Sequence, residues 1–119
     1  FFLGMNYPPA RKMIDSGLPV ALASDYNPGS SPSGNMKFIL SLATIIMKLT
    51  PEEAVNAATL NSAYAMGISD SHGSIGTGKR ANVLITKEIS SLWYLPYAYT
   101  SNLIDSVILG GKVVSRGYE

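Results

Sequence analysis

Hydrophobic and polar positions in the first third of the chain predict a short helix followed by a buried strand. Residues 8–16 predict this helix. The two prolines that begin it suit the first turn of a helix, and Gly17 suits the position just past a helix end. Residues 18–23 form a continuous apolar run, which is typical of a strand covered on both faces, as in a parallel sheet. The turn-forming residues 26–34 then predict a loop.

Two more helices are predicted in the middle of the chain. Over residues 35–49 the polar side chains recur at helical spacing and leave only a narrow stripe that can face water. Residues 50–53, Thr-Pro-Glu-Glu, have the pattern of a capping box with proline at the first helical position. The helix that starts there is expected to run to Met66, with a break near residues 60–61 and Gly67 at its end.

The last part of the chain is punctuated by glycines and carries β patterns. Residues 81–86 predict a strand, and residues 106–115 predict a hairpin, because a central Gly-Gly pair supplies the positive φ angles of a two-residue turn. We therefore divide the chain into residues 1–70, which carry helices and one strand, and residues 71–119, which are β-rich.

Charge and composition exclude two classes of partner. The net charge is +1 and Lys and Arg do not cluster, so no basic stripe can follow the phosphates of a nucleic acid. No apolar run approaches the ~20 residues that a membrane span requires. Without cysteine there is no disulfide and no thiolate metal site. We expect a cytoplasmic protein that binds neither nucleic acid nor membrane.

Composition also favours a piece of a larger protein. Charged residues make up 14% of the chain, well below the typical share of about 25% in soluble domains. A chain with so little charge is expected to cover part of its surface with other protein. Its start at Phe1 rather than at Met fits the same expectation.

Asp25 stands where the apolar run ends, and this makes it the main candidate for chemistry. In barrels of strand and helix units, catalytic groups lie at the carboxyl ends of strands, where a carboxylate can be a metal ligand, a general base or both. Pro28 and Gly29 predict a type II turn, which could aim N–H groups and the Asn27 amide at one bound anion or carbonyl. The alternative is that Asp and Asn before Pro-Gly are ordinary turn formers.

Three other features have two interpretations each. His72, the only histidine, is either a solvated loop residue or one metal ligand that needs others. Residues 73–79 suggest a phosphate loop, but their spacing differs and a strand follows, which favours an ordinary turn. The aromatic residues between 93 and 99 predict packing at a loop rather than a platform for stacked bases, since no Arg or Lys interleaves them.

Four segments together resemble a known family. They are "GLPVALASDYNPGSSP", "LTPEEAVNAATLNSAYAMGI", "GSIGTGKRANVLI" and "LPYAYTSNLIDSVILGGKVV", which cover most of the chain between residues 2 and 114. They resemble the carboxy-terminal part of the imidazolonepropionases, which belong to the amidohydrolase superfamily. The third segment recurs across many amidohydrolases, whereas Asp-x-Asn-Pro-Gly-Ser followed by Ser-Pro is much closer to the imidazolonepropionases.

The resemblance implies an α/β fold, the C-terminal part of a (β/α)8 metal-dependent hydrolase barrel plus part of a small β-sandwich. Residues 1–70 would be the last strand and helices of the barrel, and residues 71–119 the β-rich segment of the composite sandwich. It also implies a hydrolase that opens the cyclic amide 4-imidazolone-5-propanoate with water. The product would be N-formimidoyl-L-glutamate, in histidine degradation.

The resemblance assigns roles to four residues. Asp25 matches the strand-end aspartate that contacts the metal and its water, so it is expected to be catalytic and a metal ligand. Asn27 and Gly29 match positions that hold the product, and Ser30 matches a position in contact with the substrate. The implied cofactor is a divalent metal, zinc or iron.

The resemblance also implies what this chain lacks. The metal-binding histidines, the catalytic histidine and glutamate, and the groups for the propionate tail belong to the amino-terminal part of such enzymes, so this chain alone should be inactive. The expected partners are a small-molecule substrate, that missing N-terminal part, and further copies in a homo-oligomer, because unpaired strand edges favour self-association. The alternatives are an amidohydrolase for a different cyclic amide and a noncatalytic interaction module.

The isolated 119-residue chain is expected to expose apolar surface. It should therefore bind 8-anilinonaphthalene sulfonate and self-associate, which dye fluorescence and analytical ultracentrifugation would measure. A monomer that binds no dye and unfolds cooperatively would identify a self-sufficient domain instead.

Overall fold

The computed structural model describes residues 1–116 and contains five helices and three strands within them. Residues 117–119, which the sequence assigns to the β-rich part, lie outside the described residues. No helix in the described part of the chain combines the length and the apolar character needed to cross a membrane. The elements are α1 (Ala10–Asp15), α2 (Met36–Ile45), α3 (Pro51–Ala58), α4 (Leu60–Ala65), β1 (Val83–Thr86), α5 (Tyr94–Tyr97), β2 (Ile104–Leu109) and β3 (Lys112–Arg116).

The signals after α1 and at the start of α3 act as the sequence predicts, whereas Pro8 and Pro9 precede α1 instead of standing in its first turn. Gly17 follows α1 with a φ of 78°, in the left-handed region that glycine adopts without steric cost. At α3 the capping box is complete: the Thr50 hydroxyl accepts from the Glu53 N–H at 3.2 Å, and the Glu53 carboxylate accepts from the Thr50 N–H at 2.8 Å. The left-handed Gly17 and these capping hydrogen bonds are local, which explains why both helices could be predicted from the sequence.

The expected break in the second half of this helical region is confirmed at Thr59. This residue has φ −122° and ψ −82°, which are not helical angles, and it separates α3 from α4. Gly67, with a φ of 70°, follows the end of α4. The two short helices thus replace one long one.

Helix α2 is shorter than the sequence predicts. The pattern extends to residue 49, but the helix ends at Ile45, and Lys48 has a left-handed φ of 62°. The turn returns the chain so that the N–H of Leu49 donates to the Ala43 carbonyl at 3.0 Å and the Leu49 side chain is buried. Burial of Leu49 and the start of α3 therefore override the helical periodicity of the last residues.

The predicted strand at residues 18–23 forms no strand pair in the described part of the chain. We call residues 18–25 the approach segment, because it leads to Asp25. Its Leu22 N–H donates to the carbonyl of Ala57 in α3 at 3.0 Å, which is a contact with a helix rather than a strand. The apolar pattern predicted a covered strand, but a ladder needs a neighbouring strand, and residues 1–116 supply none at this place.

The three strands form one antiparallel sheet in the order β1-β2-β3. Gly110 and Gly111, with φ angles of 56° and 81°, make the two-residue turn between β2 and β3, so the predicted hairpin is confirmed. The strand predicted at residues 81–86 is also confirmed, as β1.

The hydrophobic core is built largely from small residues, which lets the elements approach closely. It lies between α1, the approach segment, α2 and α3. Its buried members are Ala10, Val20, Ala43, Leu49, Ala54 and Ala57.

The two parts of the chain are joined through α5, in a region that the sequence predicted as a loop. The buried hydroxyl of Ser41 in α2 donates to the Pro96 carbonyl at 2.6 Å, and Lys37 Nζ donates to the Ser101 carbonyl at 2.8 Å. Residues 94–101 therefore pack on α2, although they follow residue 70 in the sequence.

Many large apolar side chains remain exposed in the described residues. Phe1 and Phe2 are 77% and 80% exposed, and Ile75 is 87% exposed. This exposure agrees with the low share of charged residues in the sequence.

Arg11 of α1 links two elements that flank the core. Its guanidinium donates to both carboxylate oxygens of Glu53, at 2.7 and 3.0 Å, and its Nε donates to Asp15 at 2.8 Å. The hydrogen bond from Arg11, followed by that from the Thr50 N–H, lowers the pKa of the Glu53 carboxyl. Glu53 therefore both caps α3 and ties it to α1.

Replacing Arg11 with Met is expected to lower the thermal midpoint of unfolding at neutral pH. The pKa of Glu53 is lower in the folded state than its ordinary value of 4.5, so the stability supplied by the pair is present above that pH. It is lost as the pH falls through the folded-state pKa. The difference in midpoint between the wild type and Arg11→Met, followed by circular dichroism, should therefore shrink as the solution becomes more acidic than pH 4.5.

Lys12→Met is the matched control, since it removes one positive charge from the same exposed helix without breaking the Arg11–Glu53 pair. It should show no loss of midpoint that disappears in acid. An Arg11→Met difference that stays constant into acid would contradict the assigned role of the pair.

Candidate active site

Asp25 lies at the end of the approach segment in an unusual backbone conformation. Its φ is 50°, in the left-handed region, which costs energy for most residues but which Asp and Asn visit more readily than others. The side chain is exposed and lines a cavity of about 600 Å³. Conformations of this kind cluster at functional sites, where the surrounding structure holds them in place.

The loop after Asp25 is organised by the side chain of Asn27. The Asn27 Oδ1 accepts from the N–H groups of Gly29 and Ser30, at 3.0 and 2.8 Å. Its Nδ2 donates to the carbonyl of Asp25 at 2.7 Å. The backbone N–H of Asn27 also donates to the Ser31 carbonyl at 3.0 Å, which closes the loop. One amide therefore connects both arms of the turn to Asp25.

The predicted type II turn is wrong. Such a turn requires a positive φ at Gly29, and Gly29 is not among the glycines with a positive φ in the described residues. The physical reason is Asn27, whose side-chain oxygen draws the N–H groups of Gly29 and Ser30 inward, as an N-cap residue does.

This arrangement separates the four residues that the sequence singled out. Asp25 and Ser30 line the same cavity, whereas Asn27 and Gly29 do not. The N–H groups of Gly29 and Ser30 are occupied by Asn27, so they do not point to a ligand as a pair. The Ser30 hydroxyl makes only a long contact of 3.3 Å to the Asn27 Oδ1. Ser30 therefore keeps a polar group available beside Asp25, and the roles of all four residues stay predictions.

The cavity itself is mostly apolar and is formed by five stretches of chain. They are residues 1–5, residues 7–13 with part of α1, residues 19–25, residues 30–33, and residues 38–47 with the inner side of α2. Tyr7 lines it, and its Oη is buried without a hydrogen-bond partner among the described residues. Tyr7 is not predicted from the sequence, because a tyrosine before two prolines has no periodic pattern that marks it as part of a site.

The other candidates take no part in this cavity. His72 is half-buried in its turn, and its Nδ1 lies 2.7 Å from the Ser71 hydroxyl. Lys79 Nζ donates to the Ser69 carbonyl at 2.6 Å and to the Ser74 hydroxyl at 2.7 Å. These hydrogen bonds stabilise the turn. The interpretation of residues 73–79 as a turn is confirmed.

The aromatic residues near 93–99 pack, as predicted, although they do so around the short helix α5. The rings of Tyr94 and Tyr97 have centroids 6.0 Å apart, and Tyr99 lies 5.6 Å from Phe38 of α2. The second contact joins α5 and its following turn to α2.

Comparison with known proteins identifies the family. The model of the Amidohydrolase family matches residues 2–114. The chain belongs to the amidohydrolase family.

This amidohydrolase chain is similar to curated imidazolonepropionases. The chain is 60% identical over 114 residues to the imidazolonepropionase of Flavobacterium johnsoniae and 61% identical over 113 residues to that of Christiangramia forsetii. These matches cover 96% and 95% of this chain but 28% of each relative. The chain therefore spans little more than a quarter of the length of these relatives.

Solved structures share the fold. An adenosine deaminase from Xanthomonas campestris with bound zinc matches 93% of this chain and 29% of its own, with a TM-score of 0.81 and 25% identity. The guanine deaminase of E. coli matches 98% of this chain and 32% of its own, with a TM-score of 0.76 and 20% identity. The amidohydrolase fold thus extends over nearly the whole chain.

The described residues do not assemble a metal centre by themselves. Within residues 1–116 no group of three or more His, Cys, Asp or Glu side chains is placed so that it could hold a metal ion. Asp25 therefore stands as a single carboxylate beside the cavity of this amidohydrolase.

Asn27→Ala is expected to loosen the loop of this amidohydrolase. Loss of a side-chain acceptor for two N–H groups typically costs about 1 kcal/mol, which corresponds to roughly fivefold faster local amide exchange. Hydrogen exchange of the Gly29 and Ser30 amides, followed by NMR, measures this. Asn27→Asp keeps an acceptor oxygen and should retain the protection. Equal exchange in Asn27→Ala and the wild type would show that other contacts hold the loop.

Proposed function

We propose that this chain is the carboxy-terminal part of an imidazolonepropionase. The whole enzyme would hydrolyse 4-imidazolone-5-propanoate to N-formimidoyl-L-glutamate by cleaving a C–N bond of the cyclic amide. The observation that carries this proposal is the 60% identity to an imidazolonepropionase over 96% of the chain. The loop that holds Asp25 beside a cavity supports it independently.

In this proposal the approach segment is the last strand of a (β/α)8 barrel. Its unbroken apolar run suits a strand covered on both faces, and no strand within residues 1–116 pairs with it. A strand from the amino-terminal part of the enzyme would pair with the edge that faces away from α3 and α4, whose residues bond the other edge at Val20 and Leu22. Residues 71–119 would belong to a small β-sandwich, to which the sheet of β1, β2 and β3 contributes.

Asp25 is the proposed catalytic residue. A carboxylate at the end of a barrel strand can orient a water molecule and accept its proton as the oxygen attacks the ring carbonyl. The left-handed φ of Asp25 and the hydrogen bond from Asn27 to its carbonyl fix the backbone from which the carboxylate extends. This fixed backbone supports the assignment.

The proposed cofactor is a divalent metal, zinc or iron. The described residues fit it in part, because Asp25 offers one exposed carboxylate beside the cavity and imidazole ligands would have to come from outside this chain. Zinc in the adenosine deaminase of the same fold supports this choice. When bound, such a metal lowers the pKa of a coordinated water toward neutrality.

The loop residues divide the work of binding in this proposal. Ser30 presents its hydroxyl to the cavity and can donate a hydrogen bond to the substrate, including to the oxygen that gains charge during the reaction. Asn27 uses one amide N–H inside the loop and keeps a second for the product. Gly29 is exposed and has no side chain, which permits close approach of the product to the backbone.

The surroundings of the enzyme follow from the same proposal. Its substrate is a small molecule of histidine degradation, so we place it in the cytoplasm. The exposed apolar surface of residues 1–5 and of the sheet would be covered by the amino-terminal part of the enzyme and by a second copy in a homo-oligomer.

Asp25→Asn tests the function in the full-length enzyme that carries this segment. It should lower kcat/KM for 4-imidazolone-5-propanoate by about 10²–10⁴-fold, the usual share of a general acid or base. Asp70→Asn, in an exposed turn after α4, is the matched control and should keep wild-type activity.

Two results would contradict the proposal. Full activity of Asp25→Asn would remove Asp25 from the chemistry. Hydrolysis of a different cyclic amide only, or no hydrolysis in the metal-loaded full-length protein, would favour another amidohydrolase or a noncatalytic module.

A further inference from the structure

One edge of the approach segment is held by side chains instead of by a strand. The carbonyl of Val20 accepts from Asn61 Nδ2 at 2.8 Å, and the carbonyl of Leu22 accepts from the Ser62 hydroxyl at 3.0 Å. Two residues is the spacing at which extended backbone points its carbonyls to the same side. Two neighbouring residues of α4 therefore occupy successive positions of one hydrogen-bonding edge.

The loop after Asp25 continues this row of side-chain donors. The carbonyl of Ser24 accepts from the Ser31 hydroxyl at 3.0 Å, and that of Asp25 from Asn27 Nδ2 at 2.7 Å. The carbonyls at 20, 22 and 24 thus all receive a hydrogen bond from a polar side chain. The row ends at Asp25.

The break between α3 and α4 makes the arrangement possible. In an uninterrupted helix the Ala57 carbonyl would accept from the N–H of residue 61. The non-helical angles of Thr59 release this carbonyl, which instead accepts from the Leu22 N–H at 3.0 Å. The single proton of the Ser62 hydroxyl is shared between the Ala57 carbonyl, at 2.7 Å, and the Leu22 carbonyl, at 3.0 Å. The broken helix therefore offers both an acceptor and two donors, as the edge of a strand would.

The opposite side of α4 is closely packed, so it cannot move away easily. A Cβ built on Gly73 would lie 2.5 Å from the Cβ of Ala63 and 3.0 Å from the Thr59 carbonyl. The turn at Gly73 thus presses directly against the region of the break. Asn61 and Ser62 are donors on a fixed support.

We propose that Asn61 and Ser62 are positioning residues for Asp25, acting through the carbonyls of Val20 and Leu22. Their hydrogen bonds fix the position of the approach segment at Val20 and Leu22, and Leu22 lies three residues before Asp25. This inference rests on the proposed function, in which Asp25 is catalytic. Misplacement of a reacting group by about 1 Å can cost 10²-fold in rate, so a small shift of the segment is sufficient to matter.

The test uses the full-length enzyme with Asn61→Leu and Ser62→Ala. Each should lower kcat by roughly 10-fold to 100-fold with little change in KM, because the substrate still binds while the carboxylate is displaced. Ser62→Thr keeps a hydroxyl and should restore most of the rate. Asn56→Leu, on the exposed side of α3, and Ser16→Ala, after α1, are matched controls and should leave kcat unchanged.

A double-mutant cycle separates positioning from general destabilisation. If Asn61 and Ser62 act through Asp25, then adding Asn61→Leu or Ser62→Ala to Asp25→Asn should reduce the residual rate no further. Residue-resolved hydrogen exchange should also show a less protected Leu22 amide in both variants, while the protection of α2 stays as in the wild type. This second measurement does not depend on activity.

Each outcome decides one question. Rate losses that add fully to that of Asp25→Asn, or variants with wild-type kcat and only a lower thermal midpoint, would overturn the positioning role. Unchanged hydrogen exchange at the Leu22 amide would overturn the claim that the Asn61 and Ser62 side chains hold the approach segment in place. Full activity of Asp25→Asn would instead sink the proposed function, so the two failures are distinguishable.

Discussion

Unpaired backbone groups of the approach segment are the constraint on which the rest of the structure depends. Val20 is buried and Leu22 is half-buried, so their peptide groups need hydrogen-bond partners where water is excluded. With no strand beside it among residues 1–116, the segment takes its partners from α3, α4 and the loop after Asp25. The break at Thr59 frees the Ala57 carbonyl for the Leu22 N–H, and the loop after Asp25 bonds the carbonyls of Ser24 and Asp25.

The loop after Asp25 shows how a polar turn can be rigid with little hydrophobic burial. The Asn27 side-chain amide bonds two N–H groups and one carbonyl, so local hydrogen bonds hold the loop in one conformation. Asp tolerates a positive φ better than most residues because its short side chain is compatible with this region. Of the four residues that the sequence singled out, this loop places Asp25 and Ser30 at the cavity.

The surface of the chain fits its coverage of only 28% of the relatives. Apolar side chains that a complete domain would bury are exposed at residues 1–5 and along the sheet, and the cavity is bounded in part by that exposed stretch. Low charge in the sequence and exposed apolar area in the structure thus express the same property. The Arg11–Glu53 pair ties α1 to α3, and α5 packs on α2 through the Ser41 hydrogen bond to Pro96, which adds support to a small core.

The sequence by itself determined the local structure of this amidohydrolase. Capping residues fixed the start of α3, glycines with positive φ fixed the ends of α1 and α4 and the β2–β3 turn, and the family followed from short motifs around Asp25. These features depend on neighbours within about four residues, which a sequence displays directly. The form of the turn at Gly29 is also local, because the Asn27 side chain sets it, but the same Asn-Pro-Gly pattern also matched a type II turn. Only the tertiary structure decided the early end of α2, the packing of α5 on α2 and the partners of the approach segment. Those depend on contacts between residues distant in the chain, such as Asn61 with Val20 and Ser41 with Pro96, which no local pattern encodes.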